Sequence, residues 1–199
     1  MSDFKKFTQA NREAWNEAMP HHQKANAGKW DKAFETPGFS VINEPELSLI
    51  NSLNIEGQKI AHVCCNNGVE LMSLKNLGAG ECIGFDISDA AIQEAQERAS
   101  RFGIACEFVQ TDIYDIPEKY HGEFDIVYIS IGCLGWMPGI QRFFGKVTSL
   151  LNESGELFIY EAHPFSEMLP SDDLDNVDPL KIIEPCAASD QFGSFDLNK

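Results

Sequence analysis

Positive charge is scarce in this sequence. Its 15 lysines and arginines stand against 31 aspartates and glutamates, giving a formal charge of −16 and a pI near 4.5. Such a surface repels phosphate backbones, and the basic residues are scattered rather than gathered into the stripe that nucleic-acid binding needs. No nucleic-acid partner is expected, and small-molecule or protein substrates are favoured. No run reaches the ~20 apolar residues that span a bilayer, and the opening MSDFKKFTQ lacks the apolar stretch of a secretory leader, so no membrane partner is expected. The six cysteines contain no C-x-x-C pair, which argues against zinc, and no metal is expected. Cys64, Cys82 and Cys106 lie in or beside apolar runs, as free thiols do in a reducing cytosol, so a cytoplasmic location is expected.

What is present suits a single globular domain: 199 residues, 43% hydrophobic and 23% charged. Residues 1–56 carry helical patches broken by Pro20, Gly28, Pro37 and Pro45 and read as an N-terminal helical cap. Residues 57–165 alternate strand and helix. Residues 166–199 are polar and acidic, without a clear period, and are expected to belong to the same domain.

In the middle part, Ile60–Cys65 reads as a buried strand interrupted by His62, for which a satisfied core histidine is the expectation. Val69–Leu77 follows as a helix with Leu71, Leu74 and Leu77 on one face, stopped by Gly78 and Gly80. Cys82–Phe85, Cys106–Val109 and Phe124–Ile131 read as further strands. Between the first two of these runs a helix with Ala91, Ala95 and Ala99 on one face, capped by Ser88 and ended by Gly103. Ile140, Phe143, Val147 and Leu150 mark another helical face; Gly155 reads as a turn and Glu156–Glu161 as a fifth strand. This order predicts a Rossmann-like α/β fold: a doubly wound, mostly parallel sheet with helices on both faces. Ligands of such sheets bind at the carboxyl ends of the strands.

The residues after the strands are therefore the candidate site. Cys65-Asn66-Asn67-Gly68 makes a small-residue turn into a helix, whose N-terminus offers free N–H groups; a tight turn without a ligand reads equally well. Asp86 follows the second strand at 86 − 68 = 18 residues from Gly68, near the ~20 expected of an acid that binds a ribose diol; it could also serve only to cap the next helix. Asp112 follows the third strand and could accept from an adenine amino group, with Ile113 packed on the ring. A dinucleotide is disfavoured, because the G-x-G-x-x-G register falls on Cys64, Asn66 and Val69.

The segment IAHVCCNNGVELMSLKNLGAGECIGFDIS resembles the first two motifs of class I S-adenosylmethionine-dependent methyltransferases, and more narrowly a bacterial branch with histidine in the first strand and a partly substituted glycine loop. FVQTDIYDIP and EFDIVYIS resemble the next two motifs, GWMPGIQRFFGKVTSLLNESGELFIYEAHP the following helix and strand, and NREAWNEAMPHH the N-terminal cap. The resemblance implies S-adenosylmethionine as cofactor and S-adenosylhomocysteine as product. It implies that backbone groups of Cys65, Asn66, Asn67 and Gly68 hold the methionine end, that Asp86 binds the ribose with Ile87 beside the adenine, and that Asp112 and Ile113 hold the adenine. Ser130 and Ile131 would line the cavity near the sulfonium, and Trp15 with His21 or His22 would close the cap over it. In that family the pattern continues past the fifth strand with a helix and an antiparallel strand pair; residues 166–199 do not show it, so this part is expected to be missing or abbreviated, leaving a sheet edge that a second copy could cover in a homodimer. His163 is the candidate catalytic base, with Glu161 and Tyr128 as further candidates, and Trp136 and Met137 are candidates for an apolar substrate wall or for core. A methyltransferase acting on a small molecule and a cofactor- or partner-binding domain without turnover both remain open.

Overall fold

The computed structural model describes residues 3–163, 165–169 and 180–182. Helix α1 (Asp3–Ala25), α2 (Lys29–Phe34) and α3 (Glu46–Ser52) precede an alternating core. That core runs β1 (Ile60–Val63), α4 (Val69–Asn76), β2 (Cys82–Asp86), α5 (Asp89–Phe102), β3 (Cys106–Gln110), β4 (Phe124–Ile129), α6 (Ile140–Leu150) and β5 (Leu151–Ile159). The five strands form one sheet in the order β3-β2-β1-β4-β5, with every pairing parallel. The alternating order thus gives the expected Rossmann-like α/β sheet. The chain winds outward from β1 to β3 and returns to β4 on the other side of β1, so the switch in strand order lies between β1 and β4. The segment after β5, where the family's strand pair is expected to be missing or abbreviated, lies largely outside the described residues. Among the described residues, no helix is long and apolar enough to cross a membrane.

Each central strand is apolar on both faces, as a covered parallel sheet requires. On one face Ile60, Ile126 and Tyr128 pack with Leu71, Leu74, Ile92 and Ala95 of α4 and α5; on the other Ala61, Val63, Ile83 and Val127 pack with Phe143, Val147 and Leu150 of α6. The alanine face of α5 lets this helix lie close to the sheet. Its N-cap is Ser88, which accepts from the Ala91 N–H at 3.2 Å, and Gly103 closes it with φ 64°. Gly84 in β2 serves the same closeness, since a Cβ there would stand 2.7 Å from the Cys65 thiol.

Three expectations change. Pro20 does not break α1, which runs through it; contacts to the core on both sides of the proline hold the helix, from Asn11 to the Trp136 carbonyl (2.8 Å) and from Gln23 to Glu94 (3.2 Å). Gly155 is no free turn. It lies inside β5 at a register irregularity where Leu151 pairs with Phe124 and Glu156 with Ile126, and a Cβ there would meet the Phe124 carbonyl oxygen at 2.8 Å. Finally, β1 ends at Val63 and β4 at Ile129, which puts Cys64, Cys65, Ser130 and Ile131 in loops above the sheet.

Candidate functional site

Loops after β1, β2, β3 and β4 open on one cavity of about 490 Å³, roofed by α1. This lies within the ~300–1,000 Å³ of small-molecule sites. Among the predicted residues, Trp15, Asn66, Asn67, Asp86, Ile87, Asp112, Ile113, Ser130 and Ile131 line it, together with His22, Trp136 and Met137. Cys65 and Gly68 do not. The Cys65 side chain is fully buried in the core, and Gly68 sits with φ 73° where a Cβ would stand 2.4 Å from the Phe108 ring. Gly68 is therefore required for packing of the turn, and Cys64, at φ 57°, faces the cavity in place of Cys65.

The loop's backbone donors are already engaged. The Cys65 N–H donates to the Phe85 carbonyl (3.0 Å), Asn66 N–H to Asp86 Oδ2 (2.8 Å), Asn67 N–H to its neighbour Asn66 Oδ1 (2.7 Å) and Gly68 N–H to the Cys65 carbonyl (2.9 Å). The expected grip of the 65–68 backbone N–H groups on a methionine carboxylate is thus not free in this arrangement. What the loop presents instead is carbonyls and the side chains of Asn66 and Asn67. Behind it stands a residue that the sequence pattern does not flag: Arg98, buried on α5, donates to the Asn67 carbonyl (3.2 Å) and pairs with Glu94 (2.5 Å) and Asp31 (3.2 Å). An arginine on an otherwise small-residue helical face is the one available hint of it.

Asp86 closes the same loop from the other side. Its two oxygens accept the Asn66 and Ser88 N–H groups, both at 2.8 Å. Burial nevertheless raises its pKa, with the N–H groups of Ser88, Asn66 and Ile87 opposing the rise. Each carboxylate oxygen has two acceptor directions, so both can still take a ligand hydroxyl. Asp112 caps the short 3-10 turn Ile113–Asp115 through the Tyr114 N–H (3.0 Å) and pairs with Lys5 of α1 at 3.3 Å. Ile113 is buried beside it.

On the far wall, His62 lies fully buried in β1. Its Nε2 is 3.1 Å from Ser130 Oγ, and its Nδ1 has no partner, so the ring is only half satisfied. Burial lowers its pKa to about 3, so it is neutral. An unpartnered acceptor nitrogen costs less than an unpartnered N–H, which favours a proton on Nε2 and leaves the Ser130 hydroxyl hydrogen free to point into the cavity. The Cys64 thiol is hydrogen-bonded to that of Cys133, and this with burial holds it protonated. Five cysteines among the described residues are free thiols; Cys186 lies outside them. No group of three or more His, Cys, Asp or Glu side chains among the described residues stands close enough to hold a metal ion.

The proposed bases sit elsewhere. His163 is exposed, outside the cavity lining, with Nδ1 accepting the Phe165 N–H at 3.1 Å. The Glu161 carboxylate accepts the N–H groups of Gly132 (2.6 Å), Cys133 (3.0 Å) and Leu134 (3.1 Å), fixing the loop after β4, and these donors hold its pKa down against burial. The Tyr128 hydroxyl is buried against Glu46. His21 is exposed, and of the two neighbouring histidines His22 is the one at the cavity.

Residues 60–155, from the start of β1 to the middle of β5, match the family model described as a methyltransferase domain. Just under half of the chain thus carries a methyltransferase domain, similar to those of S-adenosylmethionine-dependent methyltransferases. A tRNA U34 carboxymethyltransferase of Campylobacter hominis is 29% identical over 109 residues, 54% of this chain and 37% of that protein. A ribosomal protein L11 methyltransferase of Aliivibrio fischeri is 29% identical over 123 residues, 60% of this chain and 40% of that protein. The chain thus spans about two fifths of the length of those relatives. Among solved structures, a SAM-dependent methyltransferase from Aquifex aeolicus shares the fold with a TM-score of 0.53 at 14% identity, covering 69% of this chain and 71% of that one.

The family's cofactor, S-adenosylmethionine, fits the residues present. Asp86 and Asp112 stand at the ends of neighbouring strands β2 and β3 and reach one cavity of nucleoside size. Among the described residues no lysine or arginine lines that cavity, which suits a cationic sulfonium. Asp86 and Ile87 would hold the ribose and adenine edge and Asp112 and Ile113 the adenine, under the cap helix α1.

Proposed function

We propose that this chain transfers a methyl group from S-adenosylmethionine to a small-molecule acceptor in the cytoplasm. The observation that carries the reading is the convergence of Asp86, Asp112 and Ser130, from the ends of three strands, on a single cavity under α1. The cofactor supplies an electrophilic methyl group and a neutral leaving thioether, so no acid is needed at the leaving atom. The protein's part is to fix distance and alignment, with reacting atoms at about 3–3.5 Å. Asp86, locked by two loop N–H groups, offers acceptors of fixed direction to the ribose hydroxyls. Helix α1 excludes water. It is tied over the cavity by Asn11 to the Trp136 carbonyl, by Arg12 and Asn16 to Asp89, and by Ser88, whose hydroxyl donates to Asn16. Ser130, oriented by His62, supplies a donor near the reacting end. An acceptor with an available lone pair needs no base, which agrees with the position of His163 away from the cavity.

A small acceptor is favoured over the RNA and protein substrates in the names of the relatives by the formal charge of −16 and by a cavity enclosed between cap and sheet. A second reading, cofactor binding without turnover, is favoured by the loop alone, whose N–H groups are spent internally. Calorimetry with S-adenosylmethionine and S-adenosylhomocysteine, followed by a thioether-release assay over a metabolite panel, separates them. Sub-millimolar binding with turnover is expected; binding without turnover selects the second reading, and no binding at millimolar concentration removes both.

A further inference from the structure

The chain has three tryptophans, and all of them, Trp15, Trp30 and Trp136, line this one cavity. They come from three separate elements: α1, α2 and the loop after β4. Trp15 lies 5.3 Å from Trp136 and 5.8 Å from His22, centroid to centroid, so the cap and the loop build a continuous aromatic wall. Opposite in chemistry stands Glu70, in the first turn of α4. Glu70 lines the same cavity and forms no ion pair with a described residue, and burial pushes its pKa up, with the nearby Glu46 adding to the rise. The other two carboxyls of the cavity have internal duties: Asp86 holds two backbone N–H groups, and Asp112 caps a turn and pairs with Lys5.

Lys29 already lies over Trp30, 4.2 Å from its ring centroid, and a cavity lined by the Trp15 and Trp136 indoles and by Glu70, with no described lysine or arginine in its lining, attracts organic cations. Indole is the ring that binds ammonium groups best, and the attraction grows when the site is desolvated. Asp112 already pairs with Lys5, and the single net positive charge of the methyl donor leaves one of the other two carboxyls without a counter-charge. Anionic acceptors meet like charge here, while an ammonium finds indole rings and a counter-ion.

Resting on the methyl-transfer reading, we propose that the acceptor is a small amine, carried on the wall formed by Trp15 and Trp136 with Glu70 as its counter-charge. An ammonium gives one proton to water to free its lone pair. The nitrogen pair then forms the N–C bond as the C–S bond breaks, the electrons of that bond stay on sulfur, and the methylated nitrogen leaves as a cation.

Because every tryptophan lines the cavity, intrinsic fluorescence of the full chain reports its occupancy. The probes are phenethylamine, phenethyl alcohol and phenylacetate, matched in size and differing in charge, each titrated with and without S-adenosylhomocysteine. The amine is expected to bind at least ~10-fold more tightly than the alcohol, with the carboxylate weakest. Glu70→Gln is expected to weaken the amine ~10-fold and leave the alcohol within about twofold, a change of one unit of charge pairing on the scale of a charged hydrogen bond. Equal binding of amine and alcohol, or none of the amine, overturns the inference, whatever the cofactor does. Amine preference retained in a chain that fails to bind either cofactor form by calorimetry overturns methyl transfer and leaves the amine site standing.

Discussion

Asp86→Asn isolates the acid at the centre of the site. Removing the side chain outright would also release the loop, because the carboxylate holds the Asn66 and Ser88 N–H groups at 2.8 Å each. The amide keeps the shape and one acceptor oxygen, and turns the other oxygen into a donor. Two effects on folding then oppose each other. One backbone N–H loses its partner, at about 1–3 kcal/mol, while an ionised group whose pKa is raised by burial is no longer forced to carry charge. The melting temperature is therefore expected to move by only a few degrees. No such compensation acts on the ligand. A ribose diol that bonded two anionic oxygens now meets one neutral acceptor, a loss of about 1.5–3 kcal/mol for a charged hydrogen bond, which converts to roughly 10- to 140-fold in affinity at about 1.4 kcal/mol per tenfold. Calorimetric titration with S-adenosylhomocysteine, with a thermal melt beside it, reads both quantities. An affinity within twofold of the parent, in a variant that melts normally, would refute the reasoning and take Asp86 out of the site.

Further outcomes are expected. Gly68→Ala combines a left-handed backbone, at about 1–2 kcal/mol, with a Cβ 2.4 Å from the Phe108 ring, an overpacking of about 1–3 kcal/mol; Gly103→Ala, left-handed at φ 64° with open space around it, carries only the first penalty. Equal losses in urea unfolding for the two variants would contradict the account of the turn. His62 has a folded pKa of about 3 against 6.5 for the free side chain. Its contribution is therefore complete above pH 6.5 and falls as acid protonates the unfolded chain, by about 2 kcal/mol between pH 6.5 and 5. His62→Leu should flatten that part of the stability profile, and an unchanged slope would place its proton uptake elsewhere. Glu70 has the opposite sign: its raised pKa makes the ionised form costly, so stability from this group is complete below the ordinary carboxyl range and is lost as pH rises through the folded value. Glu70→Gln should consequently melt higher than the parent at pH 7, with the gap closing as pH falls through 4.5, and a lower melt at neutral pH would contradict it.

The core was legible because its signals are local and redundant. Short apolar runs, the alanine face of α5, the Ser88 cap and the Gly103 stop each point to the same alternation, and acids placed after strands lead directly to Asp86 and Asp112. What was not legible depends on long-range partners. Pro20 reads as a breaker by its own chemistry, and only the ties from Asn11 and Gln23 to distant elements carry α1 through it. Gly155 reads as a turn, but the irregular pairing with β4 makes it part of a strand. The loop 65–68 looks like a set of open donors until Asp86 and the chain's own carbonyls are seen to occupy them. Convergence of three tryptophans from residues 15, 30 and 136 has no sequence period at all and exists only once the cap folds over the sheet.

A crystal structure of the full chain grown with S-adenosylhomocysteine tests the central claim most directly. The account predicts the nucleoside under α1, with ribose hydroxyls within about 2.6–3.0 Å of the Asp86 carboxylate and the adenine against Asp112 and Ile113. A nucleoside bound outside this cavity, or inside it with both Asp86 and Asp112 untouched, would contradict it.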